Sequence, residues 1–139
     1  MNPQYLLDTN LLSEPLRPVP NSRVLQKLRI HQNKIATATV VWHELLYGCY
    51  RLPESRKRRA IEEYLQTVLW TTVPILSYDA PAARWHAMER ARLEALGTKP
   101  PFVDGQIAAI AVVNNLILVT TNTKDFSSFA DLEIQNWHT

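Results

Sequence analysis

Four acidic residues stand where carboxylates could hold a hard cation. Asp8 directly follows the apolar run Tyr5-Leu6-Leu7, and Glu44 lies within the apolar stretch from Val40 to Leu46. Asp104 follows the double proline Pro100-Pro101, and Asp125 lies a few residues beyond Thr120. Carboxylates brought together repel, so a cluster of them costs stability unless protons or cations compensate. Oxygen-only donors of this kind suit Mg2+ or Mn2+. Each acid also has a plainer reading: Asp8 and Asp104 as helix N-caps, Asp125 as a solvated turn residue, Glu44 as the partner of an arginine. Other site chemistries find less support. His31, His43, His86 and His138 show no ligand spacing. The lone Cys49 excludes an internal disulfide framework and an all-cysteine zinc site, and reads as a small buried residue. Neither glycine-rich nucleotide fingerprint occurs.

The elements that would position these acids alternate between strand and helix. Tyr5 to Leu7, Ile35 to Ala38, Val73 to Leu76, Leu116 to Thr120 and Leu132 to Ile134 read as strands, the third short or at an edge because of Pro74. A short helix opens near Asn10 and stops at the prolines Pro15, Pro18 and Pro20. Asn21 or Ser22 caps a helix through about Ile30, and Thr39 caps the helix that carries Glu44. Pro53 opens a helix to about Leu69, and Asp79 caps one that ends near Leu96, with Gly97 closing it. Asp104 opens a small apolar helix with Ile107, Ala108, Ile110 and Ala111. Strands separated by helices imply parallel pairing through right-handed crossovers, hence a single α/β domain with helices on both sheet faces. In such a sheet, ligands bind outside the carboxyl ends of the strands, where Asp8 and Asp125 fall.

The chain has 139 residues, 46% of them hydrophobic and 20% charged, which suits one globular domain with its own core. No apolar run reaches membrane-spanning length and the N-terminus lacks a secretory pattern, so a cytoplasmic location is expected. The net charge of +2 is bland, but its distribution is not. Arg51, Arg56, Lys57, Arg58 and Arg59 crowd one helix start, where cations oppose the helix dipole. They form either a solvated face or a phosphate-binding rim, to which Lys124 would add. The four tryptophans read as core, interface or tail packing rather than base-stacking residues.

Four segments together resemble a known family. They are Leu6-Leu7-Asp8-Thr9-Asn10; Glu44 with Gly48; Phe102-Val103-Asp104 leading to Ile107-Ala108-Ala109; and Val119 to Phe126. In this order and at these separations they are similar to the PIN-domain ribonucleases, above all the VapC toxins of bacterial toxin–antitoxin pairs. The resemblance spans essentially the whole chain and implies a single PIN domain over residues 1–139. It implies a three-layer α/β/α fold with a central, mainly parallel sheet. The implied activity is a Mg2+- or Mn2+-dependent endoribonuclease. Asp8, Glu44 and Asp104 match the three central acids. Asp125 matches a more variable fourth, with Asn122 as the other residue able to complete the site. Thr9, Asn10, Ser13 and Thr121 match the polar residues around it. The resemblance also implies a homodimer, inhibition by a cognate VapB-like antitoxin, and DNA binding only through that antitoxin.

Two other functions are carried forward. A phosphatase of haloacid-dehalogenase type also places an Asp after the first strand, but it needs a second Asp where this chain has Asn10. A non-catalytic RNA- or protein-binding module would have no need to crowd carboxylates near phosphate.

Overall fold

A computed structural model of the chain describes residues 2–139. The five strands are β1 (Tyr5–Leu7), β2 (Ile35–Ala38), β3 (Ile75–Leu76), β4 (Ile117–Val119) and β5 (Ile134–Gln135). They form one sheet in the order β3-β2-β1-β4-β5, every pairing parallel. Tyr5 is in register with Ile35 on one side and Ile117 on the other, so β1 is the central strand. Leu6, Leu7, Leu118 and Val119 are fully buried, as expected of parallel strands covered on both faces.

The connections are made by α1 (Thr9–Leu12), α2 (Ser22–Ile30), α3 (Thr39–Tyr50), α4 (Arg56–Glu63), α5 (Trp70–Thr72), α6 (Ala80–Ala95), α7 (Phe102–Val113) and α8 (Thr123–Phe126). The chain steps from β1 through β2 to β3 toward one edge, then from β4 to β5 toward the other. Right-handed crossovers therefore place the helices of the two halves on opposite faces. The two directions part between β1 and β4, and a crevice opens beyond their carboxyl ends.

Several boundaries differ from the sequence expectations for local reasons. Pro15 does not stop the first helix but sits inside a 3-10 turn, Glu14–Leu16, because a proline near a helix start forfeits only a donor that has no partner there. Thr39 is the first residue of α3 and not its cap; Ala38 caps without a side-chain bond. Pro53 precedes α4, whose cap is Ser55 accepting from the Arg58 amide at 3.1 Å. The expected single helix to Leu69 is broken by a π-helical turn over Tyr64–Leu69. Asp104 is the third residue of α7, and Asp125 lies in α8 rather than in a loop. The last strand begins at Ile134, later than expected. Asn21, Asp79 and Gly97 play the expected roles, Gly97 with a φ of 81°.

The core joins the sheet to α1, α3 and α7. In α7 Gly105, Ile107, Ala108, Ala109, Ile110 and Ala111 are all buried. Two buried carboxylates tie peripheral chain to it. Glu14 accepts from the Asn21 amide at 2.8 Å and lies 3.1 Å from Nε2 of His138, near the C-terminus. Glu89 pairs with Arg92 and accepts from the Ala130 amide at 2.6 Å. Trp137 is buried against Tyr5 and His31, whereas Trp42 stacks on the exposed Trp70.

Candidate active site

The crevice between β1 and β4 begins with Asp8. Its amide donates to the Val119 carbonyl at 3.0 Å, so Asp8 is the first residue past the sheet. The side chain is buried and both oxygens are engaged. Oδ1 accepts from the Thr9 amide at 2.8 Å and from its hydroxyl at 3.2 Å, which caps α1. Oδ2 accepts from the buried Thr120 hydroxyl at 2.8 Å. The N-cap reading of Asp8 therefore holds, and the cap bond together with Thr120 fixes the pose of its carboxylate.

Asp104 enters from α7. Its place in the first turn of a 12-residue helix favours a negative charge. Burial nevertheless holds its carboxyl above the usual range, and the charges of Asp125 and Asp8 push it the same way. Asp104 therefore feels the charges of two aspartates from other elements. None of the ion pairs among the described residues involves Asp8, Asp104 or Asp125.

Glu44 lies on α3, and its side chain is 49% exposed. The basic side chain beside it is the His43 imidazole, at 3.8 Å, rather than an arginine. It is not among the charges acting on Asp104. Instead it lines a groove with Thr9, Ser13, Gly48 and Lys57 that runs from the α1 side of the crevice.

The polar residues divide by role. The Asn10 amide nitrogen donates to the Thr121 hydroxyl, which ties α1 to the turn after β4. Its Oδ1 is buried and has no hydrogen-bond partner among the described residues. The Asn122 amide donates to the Thr120 hydroxyl at 3.0 Å, and its carbonyl accepts from the Asp125 amide at 3.0 Å. Asn122 thus shapes the turn that carries Asp125, while its side chain makes no cap bond. Sequence analysis missed Thr120, which orients Asp8, and Thr37, whose hydroxyl donates to the Leu7 carbonyl at 2.8 Å. The signal in the sequence was a lone threonine within or just after an otherwise apolar buried strand.

No three His, Cys, Asp or Glu side chains among the described residues are gathered into a ready ligand set. The donors still fit a hard divalent cation. They are three carboxylates without a cationic partner and one buried amide oxygen without a donor, all oxygen.

The basic run is not uniform. Arg56, Lys57 and Arg59 are exposed, and Lys57 reaches the groove that Glu44 lines. Arg58 differs from the expected rim residue because its guanidinium serves its own loop. It donates to the Leu52 carbonyl at 3.2 Å, pairs with Glu54 at 3.4 Å and lies over the Tyr50 ring. Lys124 is exposed on α8 beside Asp125.

The chain matches the PIN domain family over residues 5–132. It is 35% identical to Toxin FitB of Neisseria gonorrhoeae, across 96% of this chain and 98% of that protein. It is 31% identical to the tRNA(fMet)-specific endonuclease VapC of Shigella flexneri, again across 96% and 98%. A solved structure of FitAB bound to an IR36 DNA fragment superposes with a TM-score of 0.90 at 29% identity, covering 98% of this chain and 96% of that one.

Proposed function

The chain belongs to the PIN-domain family, and on that footing we propose that it is the ribonuclease toxin of a VapC-type toxin–antitoxin pair, a metal-dependent endoribonuclease. The observation that carries this reading is the trio Asp8, Asp104 and Asp125 beyond the β1 and β4 ends, with no cationic side chain among the described residues paired to any of them.

Asp8, Asp104 and Asp125 would hold Mg2+ or Mn2+, with Glu44 reaching it directly or through water. When bound, the ion would supply an activated water and charge relief at the phosphate and the leaving oxygen. The chain's own residues supply orientation. Thr9 and Thr120 hold the Asp8 carboxylate in one pose. The first turn of α7 presents Asp104, and the Asn10 amide oxygen would accept a hydrogen bond from a water at the site. The acids make a serine, cysteine or histidine nucleophile unnecessary.

One relative is a toxin, another a tRNA(fMet)-specific endonuclease, and the FitAB structure carries DNA. By extension, this chain forms a homodimer restrained by a VapB-like antitoxin, and it reaches DNA only through that partner. No helix of the described residues is long and apolar enough to cross a membrane, which accords with action on cytoplasmic RNA. The phosphatase reading lacks its second aspartate: Asn10 stands there, with its amide engaged by Thr121. A non-catalytic binding module leaves the uncompensated aspartates without a purpose.

The test is cleavage of an RNA panel by the purified chain in Mg2+, with EDTA and Asp8→Asn as controls. Asp8→Asn is expected to remain folded and to lose more than about a hundredfold in rate, at least the loss typical of perturbed metal sites. Wild-type cleavage by Asp8→Asn, or cleavage that EDTA leaves unchanged, would overturn the mechanism.

A further inference from the structure

Phe102 and Val103 open α7 immediately before Asp104, and the structure leaves them 51% and 40% exposed. An exposed phenyl ring beside a candidate catalytic carboxylate needs a reason. The ring is contacted from α6: the His86 ring centroid lies 4.7 Å from its own, and the Arg90 guanidinium lies 5.3 Å from its centroid. A cavity next to it is lined by His86, Arg90, Lys99, Pro101, Phe102 and Phe129. Arg90 shares its charge with Glu94 at 3.4 Å across an exposed pair, which is weak in water. Lys99 takes part in none of the ion pairs among the described residues.

We infer that Phe102, Arg90 and Lys99 form a nucleotide subsite for single-stranded RNA beside the aspartates. The base flanking the scissile bond stacks on Phe102, and Arg90 and Lys99 hold its backbone phosphate. This rests on the ribonuclease reading and adds to it a residue-level account of how substrate is held. The physical case is the combination itself. A supported, exposed aromatic face with interleaved cations is how proteins grip single strands without reading sequence. Phe102 precedes Asp104 by two residues in the first turn of α7, so their side chains leave the helix on opposite sides, and a strand stacked on the ring rounds the start of α7 to reach the acids. Phosphate also needs cations, and these two basic residues line the cavity at the start of α7, apart from the Arg56 to Arg59 run on α4.

The test measures binding of a fluorescein-labelled oligouridylate in the Asp8→Asn background, which cannot cut it. Phe102→Leu is expected to weaken binding about tenfold, and Phe102→Tyr to restore it. Lys99→Gln is expected to reduce the salt dependence of binding. Unchanged affinity in Phe102→Leu overturns the subsite while leaving the ribonuclease reading intact. A shift from dimer to monomer on Phe102→Leu also overturns it, because the ring is then a contact between copies. An RNA panel left uncut by the wild-type chain in Mg2+ overturns the ribonuclease reading, and with it the subsite's place beside a scissile bond.

Discussion

The imidazole of His86 occupies the space that a side chain at Gly105 would need: a Cβ on residue 105 would lie 2.1 Å from His86 Nε2. The ring cannot readily swing aside, because it is buried and its Nδ1 is 2.8 Å from the Tyr78 hydroxyl. Helices α6 and α7 therefore meet at a distance that only glycine permits, one residue beyond Asp104.

Gly105→Ala should consequently displace the start of α7. The expected cost is about 1–3 kcal/mol, typical of overpacking a close contact. RNA cleavage should fall by more than the unfolded fraction explains, since the displaced turn carries Asp104. Adding His86→Ala should recover part of the stability, and a double-mutant cycle in urea would measure the coupling. Additive losses would show that the two residues do not act through each other.

Replacing Asp104 by Asn should stabilise the metal-free chain even as it abolishes cleavage. Burial and the charges of Asp125 and Asp8 hold the Asp104 carboxyl above its ordinary value of 3.8. A carboxyl raised by folding binds its proton more tightly in the native state. Its contribution is therefore complete below the ordinary value and is lost as pH rises through the raised one. Ionised Asp104 thus opposes folding at neutral pH. The melting temperature of Asp104→Asn in EDTA should rise by about a few degrees, and Mg2+ should stabilise it less than wild type. A lower melting temperature in EDTA would contradict the repulsion account.

Glu14 carries the opposite sign. The Asn21 amide lowers its pKa most, burial works against it, and His138 and Arg17 lower it further, to a value below the ordinary 4.5. Glu89 is lowered chiefly by Arg92, with burial opposing and the Ala130 amide assisting. A carboxyl lowered by folding stabilises fully above its ordinary value, and that stability is lost as pH falls through the lowered one. Urea unfolding should therefore show a steep loss of stability below pH 4.5, the ordinary value for both groups. Glu14→Gln should flatten that limb and cost about 1–3 kcal/mol at pH 7 through the weakened buried bonds. An unchanged acid limb would remove Glu14 from the explanation.

The basic run should split in two. Changing Arg56, Lys57 and Arg59 to Gln is expected to raise the Michaelis constant for RNA and to flatten its salt dependence. Stability should hold or rise slightly, because these cations oppose the α4 dipole. Arg58→Gln should instead lower the melting temperature, since its guanidinium bonds the Leu52 carbonyl at 3.2 Å and pairs with Glu54. Salt dependence that survives the triple change would assign this face to solvent.

What the sequence determined by itself was local. An apolar run ending at Asp8, a second ending at Thr120 and a mostly apolar helix behind Asp104 are short-range patterns, and they identify strand ends and a buried helix without any partner. They were enough for a parallel α/β sheet and for acids at its carboxyl edge. The caps at Asn21 and Asp79 were legible for the same reason, because a cap is a contact within one turn. Other features depended on which strands became neighbours. Placing β4 beside β1 brings the Thr120 hydroxyl to Asp8 and Thr121 to Asn10, across more than a hundred residues. Hydropathy periodicity carries no record of such pairings. Nor could it show that Glu44 would stay half-exposed on the groove, that Arg58 would turn back to its own loop, or that His86 would fill the space beside Gly105. The residue types were written in the chain, but their convergence came from pairing order and helix packing, which act between segments far apart in sequence.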